Sequence, residues 1–257
     1  MSRPVLVLIV PCYNEAVRLN PQAFVDFAAA HPSAQLLFVD DGSSDGTSGI
    51  LEPLKASAPG SMDIVRLPSR QGKGEAVRRG ILEGIRREPD FVGFWDADLS
   101  TPLHVVDDFL ALAARRPEME VILGSRVMLM GRDIRRKAWR HYFGRVFATA
   151  VSLALDLPVY DTQCGAKIFR ANDAIAAAFA KPFRSRWIFD VEVLARYLGQ
   201  PVPAGDPPRR ARIYELAVPV WHHKPGSKLR WADFIRAMFD LAGIWRDRSR
   251  RPRVKPG

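Results

Sequence analysis

Two cysteines in 257 residues, Cys12 and Cys164, are too few for a disulfide framework and fit a reducing compartment, so a cytoplasmic location is expected. Long apolar runs are scarce too. Val5–Val10 stops at Pro11, and Val146–Leu155 is broken by Asp156 and Pro158, both short of the roughly 20 residues that span a bilayer. No small-residue cleavage site follows the first run, which reads as a strand and not as a signal peptide. Acids are outnumbered: 28 Asp and Glu face 38 Lys and Arg, a net charge of +10. That balance implies an anionic partner, whether phosphate-bearing substrates, a membrane surface or nucleic acid. Among the five histidines, His222-His223 lacks companion ligands at metal spacing and reads as loop. No internal repeat is present. The 47% hydrophobic content is that of a globular protein able to build a substantial core.

What is present is a regular alternation of strand and helix signals. Val5–Val10, Gln35–Asp40, Asp63–Leu67, Phe91–Trp95 and Glu120–Leu123 are short apolar runs that read as strands. Helical patterns separate them: Pro21–Ala30, a segment capped by Ser44 or Asp45 and ending near Leu54, Glu75–Arg87, and one opening at Pro102. This order predicts an α/β fold with a mostly parallel sheet covered by helices on both faces. Farther on, Arg132–Leu155 reads as one basic helical segment with Trp139, Phe143 and Phe147 at i, i+4, i+8. Asp161–Lys167 reads as a loop or short strand, Phe189–Leu198 as a helix, Pro201–Arg210 as a loop and Arg212–Val218 as the last strand. Trp231–Trp245 reads as an amphipathic helix with Trp231, Phe234, Ile235, Met238, Ala242 and Trp245 in one stripe.

Open α/β sheets bind ligands beyond the carboxyl ends of their strands, and the polar motifs fall there: Pro11–Glu15, Asp40-Asp41, Gln71–Gly74 and Asp96-Ala97-Asp98. One polar turn arises by chance; four consecutive strand ends point to a shared site. Asp96 and Asp98, spaced i, i+2 in an extended segment, look into it together. Their oxygens suit Mg²⁺ or Mn²⁺ held between protein and a diphosphate. Gly72-Lys73-Gly74 allows close backbone approach, offers amides at a helix start and adds positive charge, without the spacing of a P-loop. Cys12 and Cys164 neighbour these motifs without a supporting His or Asn set and read as small buried fillers.

Pro11-Cys-Tyr-Asn-Glu15, Val39-Asp-Asp-Gly-Ser-Ser-Asp-Gly-Thr47, Gly72-Lys-Gly74 and Asp96-Ala-Asp98 together resemble the family-2 inverting glycosyltransferases of GT-A fold, whose sheet is Rossmann-like. Gly124-Ser-Arg126, Asp161-Thr-Gln-Cys-Gly165, Arg186-Trp-Ile-Phe-Asp-Val-Glu192 and Gly226-Ser-Lys228 resemble the polyprenyl-phosphate glycosyltransferases, the dolichyl-phosphate β-glucosyltransferases among them. The likeness runs from about Val5 to Trp245. It implies metal-dependent transfer of a hexose, glucose by the nearest motifs, from a nucleotide sugar such as UDP-glucose to polyprenyl phosphate.

On that likeness Pro11, Tyr13 and Glu15 line the base and ribose, and Asp40, with Asp41 beside it, binds the base. Gly72 and Lys73 meet the diphosphate. Asp96, Ala97 and Asp98 serve the nucleotide sugar and the metal, Asp98 as the direct ligand. The acceptor phosphate falls to Arg126, Arg135, Arg136, Lys137 and Arg140, since guanidinium grips phosphate oxygens bidentately. Such a phosphate carries about −1.5 to −2 charges near neutral pH and needs no strong base. Of Asp161 and Asp190, one orients or deprotonates the acceptor and the other holds sugar hydroxyls or structure; the sequence leaves their order open. Gln163 and Trp187 face the sugar, with a core position for Trp187 as the alternative, and Lys228 closes over the diphosphate. There are departures. Ala166 stands where Phe is common. Ser100 stands where related mannosyltransferases carry a metal-binding Gln, which leaves that ligand to water or substrate. The N-terminal anchor of the eukaryotic enzymes is read as absent.

The expected organisation is one catalytic domain over 1–230, with a nucleotide-sugar half to 125 and an acceptor half from 126. The helix 231–247 and a basic disordered tail, 248–257, follow. The Trp231–Trp245 stripe with Arg230, Arg236 and Arg246 suggests peripheral attachment to an anionic membrane; a last core helix is the alternative. Other readings are the same fold with a saccharide or other hydroxyl acceptor, which needs a true base, and a basic nucleotide- or nucleic-acid-binding module. The latter lacks a recognition motif. A nucleotidyltransferase would want a Gly-rich signature after the first strand, and Pro11–Glu15 is not one.

Overall fold

The computed structural model describes residues 5–135, 138–224 and 231–249. Arg136, Lys137 and Gly226-Ser227-Lys228 lie outside the described residues, as do the side chains of Arg135, Trp139, Arg140, Phe143, Trp231, Phe234 and Ile235. Strands β1 (Leu6–Cys12), β2 (Ala34–Asp40), β3 (Met62–Arg66), β4 (Phe91–Trp95) and β5 (Val121–Ser125) arise where apolar runs predict them. Helices α1 (Pro21–Ala30), α2 (Thr47–Ser57), α3 (Lys73–Ile85) and α4 (Val106–Arg115) connect them. A short 3₁₀ turn, Leu103–Val105, precedes α4 after Pro102, and Gly46 occupies the cap position of α2. Asp45 instead accepts the amide of Thr47 at 3.0 Å.

The later half departs from expectation. Arg132–Leu155 is not one helical segment: strand β6 (Asp133–Arg135) precedes α5 (Ala138–Leu155). Strand β7 (Ala166–Arg170) and helix α6 (Asp173–Phe179) follow, then α7 (Phe189–Leu198), β8 (Ile213–Ala217), β9 (Val220–His222) and α8 (Trp231–Ser249). His222 therefore ends a strand instead of sitting in a loop. The main sheet runs β3-β2-β1-β4-β7-β5-β8, and β6 pairs with β9 in a separate ribbon. β7 is antiparallel to both neighbours. Its first residue, Ala166, lies opposite Trp95, so the loop before it is delivered to the carboxyl ends of β4 and β5.

Alternate residues of each strand feed opposite cores. Val7, Ile9, Val92 and Phe94 pack under α3 and α7, while Leu6, Leu8, Val10 and Trp95 pack under α1 and α4. Each such side chain, fully buried, contributes about 1.5–3 kcal/mol. Trp95 donates its indole N–H to the carbonyl of Thr101 at 2.7 Å, which pins the loop that carries the acids. β1 and β4 run parallel, but strand order reverses between them, and the crevice outside that switch point is where this sheet type binds ligands.

The stripe expected on α8 is split. The buried seam is Ala237, Leu241 and Ile244, whereas Trp245 is 54% exposed, Phe239 76%, and Ala242 is also exposed. The helix packs on α5 and α7 through its small and aliphatic residues, and Asp240 accepts from Ser185 Oγ at 2.6 Å. Among the described residues no helix is long and apolar enough to cross a membrane.

Candidate active site

Four strand ends and three later loops converge on one rim. Glu15 is buried, with its amide on Thr47 Oγ1 at 2.8 Å and its carboxylate against Arg18. Burial first, with the charges of Asp98 and Asp96 adding to it, pushes the Glu15 carboxyl up to about 7 despite Arg18. Its Oε2 is buried without a hydrogen-bond partner. Asp40 accepts from the Ser43 amide (3.0 Å) and Ser48 Oγ (2.6 Å), so its first task is to hold the turn. Asp41 does the same for the Gly-Lys-Gly loop, accepting from the amides of Gln71 (2.6 Å) and Gly72 (2.8 Å). Pro11, next to last in β1, is half-buried, and the Arg70 guanidinium lies over the Tyr13 ring, 4.4 Å from the ring centre. Burial, followed by the charges of Glu15 and Asp40, raises the Cys12 thiol well above its ordinary range, as befits a filler.

The two acids after β4 look out together, while Ala97 between them is 3% exposed and packs into the core. Any contact of Ala97 with substrate is through its backbone. Asp96 Oδ1 receives Lys73 Nζ at 2.5 Å, and Asp98 Oδ1 accepts the Ser100 amide at 2.9 Å. Leu99, next in the chain, is held at φ 51°, a left-handed conformation that costs a branched residue energy. Gly165 is required by close approach: a Cβ there would collide with the Asp96 carboxylate. Gly165→Ala is therefore expected to displace Asp96 and lower kcat/KM by about 10²-fold in the transfer assay described below.

From the other side come Arg126 and the 161–165 loop. Asp161 holds Arg126 bidentately, Nε at 2.6 Å and Nη2 at 2.8 Å, and also accepts the amides of Arg126 and Gln163 at 3.0 Å. Glu215, unremarked in the sequence, fixes this loop by accepting the amides of Tyr160 (2.8 Å) and Asp161 (2.6 Å). Gln163 Nε2 is buried with no partner. Asp190, at the start of α7, lies 2.6 Å from the buried Lys167 Nζ. Burial raises its carboxyl above the usual range, opposed by Lys167 and Lys73. Lys167 also donates to the Cys164 carbonyl at 2.5 Å. Trp187 is 37% exposed beside Arg186, which packs against Gly72, so its core alternative is excluded.

Lys167, Arg70 and Glu215 are the residues missed in sequence. A charge set inside an otherwise apolar strand, Lys167 in Ala-Lys-Ile-Phe-Arg and Glu215 in Ile-Tyr-Glu-Leu-Ala, was the available signal for two of them. The donor set also fits a hard cation. The charges of Asp96 and Asp98 both act on Glu15 and on Lys73, and among the described residues no group of three or more His, Cys, Asp or Glu could hold a metal alone. Two carboxylates match an ion completed by phosphate oxygens and water, not an all-protein cage.

The family model described as "Glycosyl transferase family 2" matches residues 7–175, most of the sheet and both acids. The chain belongs to glycosyl transferase family 2. This glycosyltransferase is 30% identical to dolichyl-phosphate beta-glucosyltransferase of Dictyostelium discoideum over 95% of its own length and 77% of that protein. It is 25% identical to polyprenol monophosphomannose synthase of Mycolicibacterium smegmatis, over 97% and 89%. In fold it matches glucosyl-3-phosphoglycerate synthase of Mycobacterium tuberculosis, solved with Mn²⁺, UDP-glucose and phosphoglyceric acid. The TM-score is 0.68 at 16% identity, over 98% of this chain and 82% of that one. That likeness establishes the GT-A architecture of the glycosyltransferase.

The raised Glu15 carboxyl sets a pH test. Ionising it costs the folded chain more than the unfolded one, so its contribution to stability falls as pH rises from about 4.5 to about 7. Glu15→Gln removes that cost. The variant is expected to gain about 1–3 kcal/mol over the wild type near pH 8 and nothing near pH 4, by urea unfolding.

Proposed function

We propose that this glycosyltransferase moves glucose from UDP-glucose to a polyprenyl phosphate with inversion at the anomeric carbon. The observation that carries the reading is the alternation of charge along the rim: Asp98, then Asp96 bound to Lys73, with Asp190 bound to Lys167 behind and the Arg126–Asp161 pair opposite. Two orphaned atoms bracket it, Glu15 Oε2 waiting for a donor such as a ribose hydroxyl and Gln163 Nε2 for an acceptor oxygen. The relatives named above, and the Mn²⁺ and UDP-glucose in the solved neighbour, support the choice of donor, cation and acceptor.

In this reading residues 1–125 bind the donor and 126–230 the acceptor. Asp96 and Asp98 would hold Mg²⁺ or Mn²⁺ against the diphosphate, and the ion would supply charge neutralisation to the leaving group. Lys73, now on Asp96, turns its ammonium toward the diphosphate once that carboxylate has another partner. An acceptor phosphate oxygen attacks the anomeric carbon as the bond to the diphosphate breaks, with no proton to remove. Asp161 suits no base role, because both of its oxygens serve Arg126. A hydroxyl acceptor would shift the base to Asp190, the acid whose carboxyl burial raises.

The test incubates the enzyme with Mg²⁺ or Mn²⁺, a panel of nucleotide sugars and a short polyprenyl phosphate, following nucleoside diphosphate release. Release that requires the lipid phosphate and UDP-glucose supports the reading. Release with a saccharide and none with the phosphate overturns it.

A further inference from the structure

The stretch Val127-Met-Leu-Met130, directly after Arg126, has no role in the chemistry above. Met128 is 57% exposed, Leu129 51% and Met130 102%. Single exposed apolar residues are ordinary, but three in succession on a turn are not. The turn is built. The Leu129 amide donates to the Val127 carbonyl at 3.1 Å and the Arg132 amide to the Leu129 carbonyl at 3.2 Å. Its base is fixed as well, since Asp133 opens β6, donates its amide to the Pro219 carbonyl at 3.0 Å and meets His222 Nε2 at 2.7 Å. His222 in turn donates its amide to the Ser100 carbonyl at 2.9 Å, two residues beyond Asp98. The apolar tip is thus displayed on a frame tied to the acid-bearing loop.

We propose that residues 127–130 are a membrane-inserting tip that seats the enzyme on an anionic bilayer with Arg126 at the headgroup layer. Charge complementarity selects this occupant. Arg126, Arg132, Arg135, Arg136, Lys137 and Arg140 surround the tip in sequence, and Asp133 is the only acid from 126 to 155. Apolar residues flanked in sequence by basic ones are the composition of an interfacial anchor, and methionine adapts to an irregular acyl surface. Two residues of chain span at most about 7 Å, so inserting Met128 brings Arg126 to the depth of a lipid phosphate. The proposal rests on the reading of the acceptor as a lipid phosphate and assigns its membrane contact to this tip, not to α8.

Flotation tests it with vesicles of phosphatidylcholine, alone or with about one-third phosphatidylglycerol, containing no polyprenyl phosphate. The wild type is expected to bind the anionic vesicles and to keep part of that binding in high salt. The Met128→Ser/Leu129→Ser/Met130→Ser variant is expected to lose at least about tenfold in partitioning, its residue fully salt-sensitive, with an unchanged Tm. Met130→Ser alone, at a wholly exposed position, is expected to lose about two- to threefold and guards against a misfolded triple variant. Equal flotation of variants and wild type overturns the proposal, as does a wild type that binds no vesicle. A wild-type dimer in light scattering that becomes monomeric in the triple variant also overturns it, because the patch would then face a second copy. Vesicle binding that persists where lipid-phosphate-dependent release fails sinks the acceptor reading alone.

Discussion

Asp98→Asn is expected to lower UDP release by about 10³-fold or more without altering Tm by more than a degree or two. Asparagine keeps the oxygen that accepts the Ser100 amide at 2.9 Å, so the loop after β4 retains its shape. What it loses is the second carboxylate oxygen, replaced by an NH₂ that cannot ligate a cation. Removing one preorganised charge at a developing diphosphate costs about 10²–10³ in rate, and a metal that leaves with it costs more. Full activity in this variant would refute the metal role. Asp96→Asn keeps the oxygen that Lys73 meets at 2.5 Å but removes the charge that balances its ammonium, so the loss at the cation is partly offset by a lysine freer to serve the diphosphate.

The second large effect is at Asp161. Arg126 and Asp161 are 14% and 8% exposed in their side chains and meet at 2.6 Å, so each neutralises a largely buried charge. Asp161→Asn leaves the Arg126 guanidinium uncompensated, and breaking a buried pair from one side costs about 3–5 kcal/mol. Arg126→Gln should cost a similar amount, and the double variant less than the sum, which a double-mutant cycle in urea reads directly. A general base would behave differently. Its loss would abolish rate at constant stability and reshape the pH profile of kcat, whereas the remaining activity of Asp161→Asn is expected to keep the wild-type profile. If Asp161→Asn proves as stable as the wild type, the positioning role assigned here is wrong.

Much of this was legible in the sequence, and the reasons are local. Parallel strands buried on both faces must be continuous apolar runs, so β1, β2 and β4 announce themselves, and the sheet places their polar ends on one rim. Placing Glu15, Asp40, Asp41, Lys73, Asp96 and Asp98 on that rim needed nothing more. β7 was not readable as a central strand because its second residue is Lys167, a charge that is buried only because Asp190, on a later helix, and the neighbouring Cys164 carbonyl meet it. The direction of that strand depends on pairing with β4 and β5, which no short window contains. α8 misled for a different reason. Tryptophan and phenylalanine dominate a hydrophobic stripe, but the face that fits against α5 and α7 is set by shape, and Ala237, Leu241 and Ile244 supply it. Asp161 and Asp190 could be separated only by their partners, an arginine fork for one and a buried lysine for the other.

The most direct measurement is calorimetric titration of UDP into the wild type and Asp98→Asn, each with and without Mn²⁺. If the rim clamps a cation-bound diphosphate, Mn²⁺ tightens UDP binding to the wild type by at least about tenfold and leaves the variant unchanged. UDP affinity indifferent to Mn²⁺ in the wild type, or equally enhanced in Asp98→Asn, would contradict it.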